Sequence, residues 1–261
     1  MKFTNNHPKC YPRDMKSSPE ESVIIEPRKG RTEPNVEGTV LLFFAPTDFK
    51  IASNLLNLDA SRIKRLNFAK FYNVNINGNS FSIAGPAMGA PIAVILIERL
   101  IAMGARNIVG IGSCGSLQED IHIGDYIIPS EAIIEEGTSQ HYSIDEPIPK
   151  ASKKILKYLE ECCLSNNLNF NIGKVWTTDA LFRETIKKII NYQNQNVLGV
   201  EMEMSALFTV GTFRGIDVGG LLVVSDELFT LKWKSGLGRE KYLSAMKAAC
   251  ETLFFKSTVV V

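Results

Sequence analysis

The chain has 261 residues, of which 45% are hydrophobic and 22% charged, and its formal net charge is +1. This composition is typical of one α/β domain with a large apolar core. Charges of both signs are spread along the whole chain, which argues against a basic surface for nucleic acid or an anionic membrane. We therefore predict a protein that acts on a small molecule, without nucleic-acid or membrane partners.

The cysteines indicate neither a disulfide framework nor a metal site. They number five, an odd count, and lack CxxC spacing. No apolar run approaches the roughly 18 residues of a membrane-spanning helix, and the N-terminus lacks the pattern of a signal peptide. We expect a cytoplasmic protein without a bound metal.

Residues 1–38 form a polar segment that contains five prolines and one short apolar group, Val23 to Ile25. A segment of this composition cannot build a core of its own. We predict an N-terminal arm over residues 1–38 that lies on the domain or on a neighbouring subunit, to which His7 could contribute. The catalytic domain is then predicted over residues 39–261.

The domain begins with a continuous apolar run from Thr39 that ends before Pro46, which is typical of a buried parallel strand followed by a helix. A second strand over Ser80 to Ala84 is followed by a loop with two glycines, Gly85 and Gly89. Glycines allow a backbone to approach a ligand closely, and the next helix begins at this loop with free amides.

A third strand, Asn107 to Ile111, is predicted to run into a loop of small residues, Gly112 to Ser116. This glycine cluster is followed by polar residues and another strand from Asp125, rather than by an apolar helix. A dinucleotide-binding turn is therefore not indicated.

The second half continues the alternation with a helix over Ala151 to Leu164 and a strand over Gly173 to Thr177. The polar loop with His141 is equally consistent with an ordinary hydrogen-bonded loop and with a substrate contact. At least six strands thus alternate with helices. We predict a single α/β domain whose mostly parallel, twisted central sheet has helices on both faces.

Three acidic residues lie where strands are predicted to end. Glu201 and Glu203 follow a short strand, and Asp226 follows a strand from Gly219 to Val224. Open α/β sheets bind ligands outside the carboxyl ends of their strands, where carboxylates are tuned as acids or hydroxyl acceptors. The alternative interpretation is that these acids are helix caps or solvated turn residues.

Five motifs in order resemble the nucleoside phosphorylase and nucleosidase superfamily. This superfamily contains hexameric-type purine nucleoside phosphorylase, uridine phosphorylase, and the methylthioadenosine and AMP nucleosidases. The resemblance extends from about Thr39 to Phe255 and rests on Gly89-Ala90-Pro91, Gly112-Ser113-Cys114-Gly115, Gly124-Asp125, Gly199-Val200-Glu201-Met202-Glu203 and Ser225-Asp226.

The resemblance implies cleavage of an N-glycosidic bond, with phosphate as co-substrate and no cofactor. In the transition state the sugar becomes cation-like and the base gains negative charge. A site for this reaction needs hydroxyl acceptors beside the ribose, a proton or hydrogen-bond donor beside the base, and a nucleophile on the opposite face of the sugar.

The family pattern places four residues at the ribose. Glu203 matches the glutamate that accepts hydrogen bonds from the 2′ and 3′ hydroxyls, and Glu201 belongs to the same motif. Met202 and Met88 match methionines that pack on the sugar, although methionine is also a common core filler.

Four further residues are assigned to the base. Phe182 lies where the family has an aromatic ring stacked on the base, and Ser225 adjoins the acid Asp226. Asp226 matches the acid that hydrogen-bonds or protonates N7 of a departing purine, and Arg239 matches the arginine that supports this acid. A ground-state arginine would lower the pKa of Asp226, so either Arg239 assists only during the reaction or Asp226 acts mainly as a hydrogen-bond acceptor.

The uridine enzymes use a glutamine and an arginine shortly after the stacking aromatic. Here that stretch, residues 184 to 188, reads Glu-Thr-Ile-Lys-Lys and contains neither. A purine is therefore favoured over a pyrimidine.

The phosphate site departs from the family pattern. Ser113 and Gly112 match the loop that holds phosphate or water. The phosphorylases carry two arginines, however, where this chain has Gly110 and the pair Phe49 and Lys50. Paired arginine contacts are among the strongest ways to hold phosphate.

The missing arginines leave alternatives to phosphorolysis open. A nucleosidase, resembling the AMP or methylthioadenosine enzymes, would use water, with Asp48 as the acid that orients it. Lys50, Arg65 or Lys70 could instead replace the arginines. Uridine phosphorylase activity and a non-catalytic nucleoside-binding protein are further alternatives. Family members are homo-oligomers, so a dimer or hexamer is expected.

Overall fold

The computed structural model describes residues 23–58, 63–66 and 68–256. The predicted contributions of His7 and of the first 22 residues of the arm lie outside this range. From Arg28 to Glu37 the chain lies on the domain: Val36 N donates to Met103 O at 2.9 Å, and Arg99 Nη2 pairs with Glu33 at 2.5 Å.

The described residues contain ten strands, numbered here in chain order. Nearly all consecutive residues of the first, fifth and ninth strands are buried, as expected for strands covered on both faces. The strands are β1 Thr39–Phe43, β2 Lys64–Leu66, β3 Ala69–Ile76, β4 Asn79–Gly85, β5 Asn107–Ser116, β6 Tyr126–Ile134, β7 Phe170–Thr177, β8 Gly199–Glu201, β9 Asp217–Glu227 and β10 Lys234–Ser235.

Six α-helices connect and cover the strands, and the described chain ends in a π-helical turn, Thr252–Lys256. The helices are α1 Pro46–Leu55, α2 Ala90–Ala102, α3 Lys153–Ser165, α4 Ile186–Gln193, α5 Met204–Arg214 and α6 Glu240–Glu251. Helix α5 is apolar around most of its circumference and almost fully buried, which is typical of a core helix.

The strands form one sheet in the order β10-β9-β6-β7-β8-β5-β1-β4-β3-β2. Strand β9 also pairs with β5, so β5, β9, β6, β7 and β8 close into a small barrel. The prediction of a single α/β domain with a central sheet and flanking helices is confirmed. Within the described residues, five strand pairings are parallel and five antiparallel, so the sheet is mixed rather than purely parallel.

One predicted boundary is wrong at a position that matters for the site. The small residues from Gly112 to Ser116 are not a loop but the second half of β5, which continues to Ser116 with an irregularity between Cys114 and Gly115. The strand persists because β9 pairs with it on one side and β8 on the other. Backbone pairing therefore overrides the weak strand propensity of glycine and serine.

Candidate functional site

The ends of β8 and β9 meet on either side of Gly115 in β5. Gly115 is in register with Val200 on one side and with Asp226 on the other. Two strand spacings, about 10 Å, therefore separate these two strand ends. Glu201 follows Val200 directly, so the predicted acids share one edge of the sheet. We call Glu201, Glu203 and Asp226 the carboxylate rim.

Gly115 is required by this close approach. A Cβ atom added there would lie 2.8 Å from Leu228, 2.9 Å from the Asp226 carboxylate and 3.3 Å from Val200. Any larger residue would push the rim apart, because two of these distances are shorter than a normal carbon contact.

Glu203 connects the rim to the loop after β4. Its Oε1 accepts a hydrogen bond from Gly89 N at 2.6 Å, and only 4% of the residue is exposed. Burial, together with the charge of the neighbouring Glu201, raises its pKa. Glu203 thereby brings the predicted loop glycine beside the carboxylate rim.

Glu201 is held by the protein itself. Its Oε2 accepts from the amides of Glu203 and Met204, at 2.6 and 2.7 Å, which satisfies the first free amides of α5. Its Oε1 accepts from the Thr177 hydroxyl. Both oxygens thus have internal partners, and this geometry suits an acid that positions Glu203 better than one that binds sugar.

The hydrogen bonds of Glu201 continue into a buried network. Thr177 Oγ1 accepts from Ser205 N at 3.0 Å, and Ser205 Oγ donates to Glu136 Oε1 at 2.9 Å. Glu136 in turn accepts from the amides of Thr138 and Ser139. The network fixes the turn that carries His141 to the start of α5.

Asp226 is partly buried and has one donor on each carboxylate oxygen. Ser225 Oγ donates to Oδ1 at 2.6 Å, and Trp233 Nε1 donates to Oδ2 at 3.1 Å. Burial raises its pKa above the ordinary value, against the lowering effect of both hydrogen bonds. Burial therefore favours the protonated form of this carboxyl more than in an exposed aspartate.

Arg239, the predicted support of Asp226, lies at the N-terminus of α6 with an exposed side chain. Within the described chain it forms no ion pair with Asp226. Its backbone amide donates to Gly236 O at 2.9 Å. The expected arginine contact is thus absent from this structure, and the indole of Trp233 lies against Asp226 instead.

Phe182 projects from a 3₁₀ turn after β7 and is 96% exposed. Two residues later, Glu184 has its pKa raised to about 7 by burial and by the charge of Asp226, while Lys188 opposes this shift. Glu184 therefore lies close enough to Asp226 to sense its charge, and Phe182 lies two residues before it in the chain. Met88, 55% exposed, precedes Gly89 on the Glu203 side, and Met202, half-buried, lies between Glu201 and Glu203.

A second group surrounds Ser113. The Tyr242 hydroxyl from α6 donates to Asp48 Oδ1 at 2.9 Å and also interacts with Ser113. Asp48 is fully buried, and its Oδ2 has no hydrogen-bond partner in the described structure. Burial raises the pKa of Asp48 to about 6, although its bonds from Tyr242 and Thr47 lower it. We call Ser113, Tyr242 and Asp48 the Ser113 cluster.

The positions of the absent arginines now have a structural explanation. A side chain on Gly110 would begin 2.6 Å from the Phe44 ring, within the core. The other position is occupied by Phe49, which is buried against Phe43 and Tyr72. Lys50 is exposed, and the ammonium of Lys70 lies 5.9 Å from the Phe49 ring. Gly112 likewise leaves room for the Phe44 ring.

No helix in the described part of the chain is long and apolar enough to cross a membrane. Across the same residues, His, Cys, Asp and Glu form no group of three or more that could hold a metal ion.

Comparison with known proteins identifies the family. The family model of the phosphorylase superfamily matches residues 40–252. The chain belongs to the phosphorylase superfamily. The predicted resemblance is thereby confirmed over nearly the whole domain.

Individual members of the superfamily agree with this assignment. A DeoD-type purine nucleoside phosphorylase from Caldanaerobacter subterraneus subsp. tengcongensis is 31% identical over 226 residues, which cover 85% of this chain and 97% of the relative. A guanosine phosphorylase from Halorubrum lacusprofundi is 28% identical over 159 residues, 61% of this chain and 66% of the relative. A uridine phosphorylase structure from Vibrio fischeri superposes with a TM-score of 0.73 at 22% identity, covering 86% of this chain and 98% of that one, which shows the shared fold.

Sequence reasoning did not find Trp233, Tyr242, Thr177 or Glu136. Tyr242 is far along the chain from Asp48, and Trp233 lies in a loop. A single sequence carries no signal for either contact. For Thr177 a signal was available, because it is the last residue of a predicted strand that ends at the same edge as the acids.

Proposed function

We propose that this protein cleaves the N-glycosidic bond of a purine nucleoside with phosphate and yields free base and ribose 1-phosphate. The observation that carries the proposal is the placement of Val200 and Asp226 on either side of Gly115. The strand ends that carry Glu203 and Asp226 thus lie at one edge of the sheet, which supports the proposal that both contact the same nucleoside. Similarity to purine nucleoside and guanosine phosphorylases supports the same reaction.

The reaction assigns a role to each acid of the rim. Glu203 accepts hydrogen bonds from the ribose hydroxyls, and its carboxylate stabilises the cation-like sugar. Asp226 gives its proton to N7 as the bond from C1′ to N9 breaks, so that the base leaves with the bonding electrons. Phe182 stacks on the base, Ser225 orients Asp226, and Met88 and Met202 pack on the sugar.

Phosphate attack completes the reaction at the Ser113 cluster. A phosphate oxygen forms the new bond to C1′, with the Ser113 hydroxyl and the Gly112 backbone as contacts. Arg239 supports Asp226 only if it moves from its exposed position. No cofactor is needed, since phosphate is the co-substrate.

A second candidate reaction is hydrolysis, because Asp48 has a buried oxygen without a partner in the described structure. A carboxylate at this position accepts a hydrogen bond from water but repels a phosphate dianion. The two reactions differ only in the nucleophile, because the contacts to the nucleoside are the same.

One assay separates the two reactions. Inosine, guanosine, adenosine and uridine are each incubated with the protein, with and without phosphate, and free base and ribose 1-phosphate are measured by chromatography. Phosphorolysis predicts base release only with phosphate and one ribose 1-phosphate per base. Release at the same rate without phosphate would establish the hydrolase, and absence of release from every nucleoside would contradict both.

We also propose a cytoplasmic homo-oligomer, a dimer or a hexamer. Exposed apolar side chains on α4 and the turn before it support an association surface: Leu181, Ile186 and Ile190 are 51%, 59% and 42% exposed. Sedimentation velocity tests this proposal, and a monomer at micromolar concentration would contradict it.

A further inference from the structure

Trp233 has a solvent-exposed ring, but its indole N–H is hydrogen-bonded within the protein. The residue is 72% exposed, yet its indole N–H donates to Asp226 Oδ2 at 3.1 Å. The contact is with the acid that the proposed reaction uses to protonate the base.

The backbone fixes Trp233 at this position. It directly precedes β10, whose Lys234 and Ser235 pair with Glu227 and Asp226 of β9. Lys234 Nζ also bonds Glu227 Oε2 at 2.8 Å. The β9–β10 hairpin therefore places the indole beside Asp226.

The family's arginine does not take this role in the structure. The Arg239 side chain is exposed and forms no ion pair within the described residues. The donors on Asp226 are instead the Ser225 hydroxyl and the Trp233 indole, one on each oxygen.

We propose that Trp233, and not Arg239, is the positioning residue of Asp226, and that its indole N–H stabilises the carboxylate that remains after the proton has moved to the base. The inference rests on the proposed function. In the proton transfer Asp226 loses its hydrogen to N7, the C1′–N9 electrons go to the base, and the new negative charge on Asp226 is shared with the Trp233 and Ser225 donors.

A neutral donor suits this role better than a permanent cation. An adjacent guanidinium would hold the carboxyl ionised before the reaction and leave no proton to give. An indole N–H stabilises the carboxylate less strongly, so burial still keeps the pKa of Asp226 above its ordinary value. The same partner can therefore stabilise the carboxylate after proton transfer without the permanent positive charge of a guanidinium.

The test compares Trp233→Phe, which keeps the ring and removes the N–H, with Arg239→Gln. We expect Trp233→Phe to lower kcat about tenfold, as for a lost hydrogen bond to a charged group, with KM for the nucleoside changed less than threefold. The limb of the pH profile of kcat/KM that reports Asp226 should move to higher pH. The inference would be overturned if Trp233→Phe raised KM without moving this limb of the pH profile. It would also be overturned if the limb moved in Arg239→Gln and not in Trp233→Phe.

A readout without turnover separates this inference from the proposed function. The chain has two tryptophans, and Trp176 is fully buried. In the Trp176→Phe variant, indole fluorescence should titrate with a midpoint above 3.8, the ordinary pKa of Asp, and Asp226→Asn should abolish this titration. Fluorescence that ignores Asp226→Asn would refute the contact, whereas titration without base release from any nucleoside would refute the reaction and leave the contact in place.

Discussion

The carboxylate rim and the Ser113 cluster differ in how completely their carboxylates are hydrogen-bonded. In the rim, Glu201 and Asp226 have a partner on each oxygen, and Glu203 accepts a hydrogen bond from the loop after β4. In the cluster, one buried oxygen of Asp48 has no partner in the described structure. The rim also keeps the motif of the superfamily, while the cluster lacks both expected arginines. Polar groups that are already held in place by hydrogen bonds can stabilise the charge of a transition state without rearranging. This difference supports the proposal that the rim binds the nucleoside, and it makes the Ser113 cluster the region where phosphorolysis and hydrolysis must be distinguished.

The largest expected effect comes from breaking the rim at its proton donor. Asp226→Asn keeps the shape and the hydrogen bond to Trp233 but cannot transfer a proton, so base release should fall by about 10² to 10⁴. The matched control is Asp120→Asn, which changes an exposed acid in the turn before β6. Release that survives within threefold in Asp226→Asn would remove Asp226 from the mechanism.

The second prediction concerns a substitution in the Ser113 cluster, Asp48→Asn. The pKa of Asp48 is about 6 in the fold against an ordinary 3.8. The folded protein therefore holds a proton that the unfolded chain has lost in this interval, and stability falls as pH rises through it. The wild type should lose about 2 kcal/mol relative to Asp48→Asn between pH 4 and pH 7.

Urea unfolding at several pH values measures this difference, with Asp120→Asn as the control. If the wild type and Asp48→Asn show the same pH dependence, the buried oxygen of Asp48 does not titrate as described. Release assayed with and without phosphate in the same variant shows in addition which nucleophile depends on Asp48.

The third prediction sharpens the assignment of the sugar within the rim. Glu203→Gln should lower kcat/KM for a ribonucleoside about 10- to 100-fold, the value of a hydrogen bond to a charged group. A 2′-deoxynucleoside lacks one of the two hydroxyls, so its loss should be smaller. Equal losses for both substrates would indicate that Glu203 acts on the fold and not on the sugar.

The smallest effect concerns the choice of base. Guanine presents N1–H and an amino group to a carboxylate, whereas adenine presents an acceptor at N1. The pKa of Glu184 is about 7, so its carboxylate form prevails above that pH. The ratio of kcat/KM for guanosine over adenosine should rise up to about tenfold from pH 6 to pH 8.

Glu184→Gln should flatten this dependence on pH, and Glu161→Gln, an acid on α3, is the control. If the ratio rises equally in the wild type and Glu184→Gln, another group selects the base.

Local patterns predicted much of the fold. The apolar run from Thr39 is β1, and the helix predicted to begin at the loop with Gly85 and Gly89 is α2, Ala90–Ala102. Strands β2 and β3 were missed because their residues mix polar and apolar types without a clean alternation. Strand β2 pairs antiparallel with β3, and β3 pairs antiparallel with β4, which is one reason why the sheet is mixed.

The site was predictable where one motif carries it and not where distant residues meet. Glu203 and Asp226 lie in short motifs at strand ends, and both strands reach Gly115. Tyr242 is 194 positions from Asp48, and their hydrogen bond depends on how α6 packs on α1. Pairs of this kind are determined by tertiary packing, which periodicity and propensity do not report.

The most direct test is a structure with a purine C-nucleoside, whose carbon–carbon glycosidic bond the enzyme cannot cleave. The account predicts that one bound molecule places its 2′ and 3′ hydroxyls on Glu203 and its N7 edge on Asp226, with C1′ facing Ser113. A ligand that contacts only one of these two carboxylates, or that binds on another surface, would contradict it.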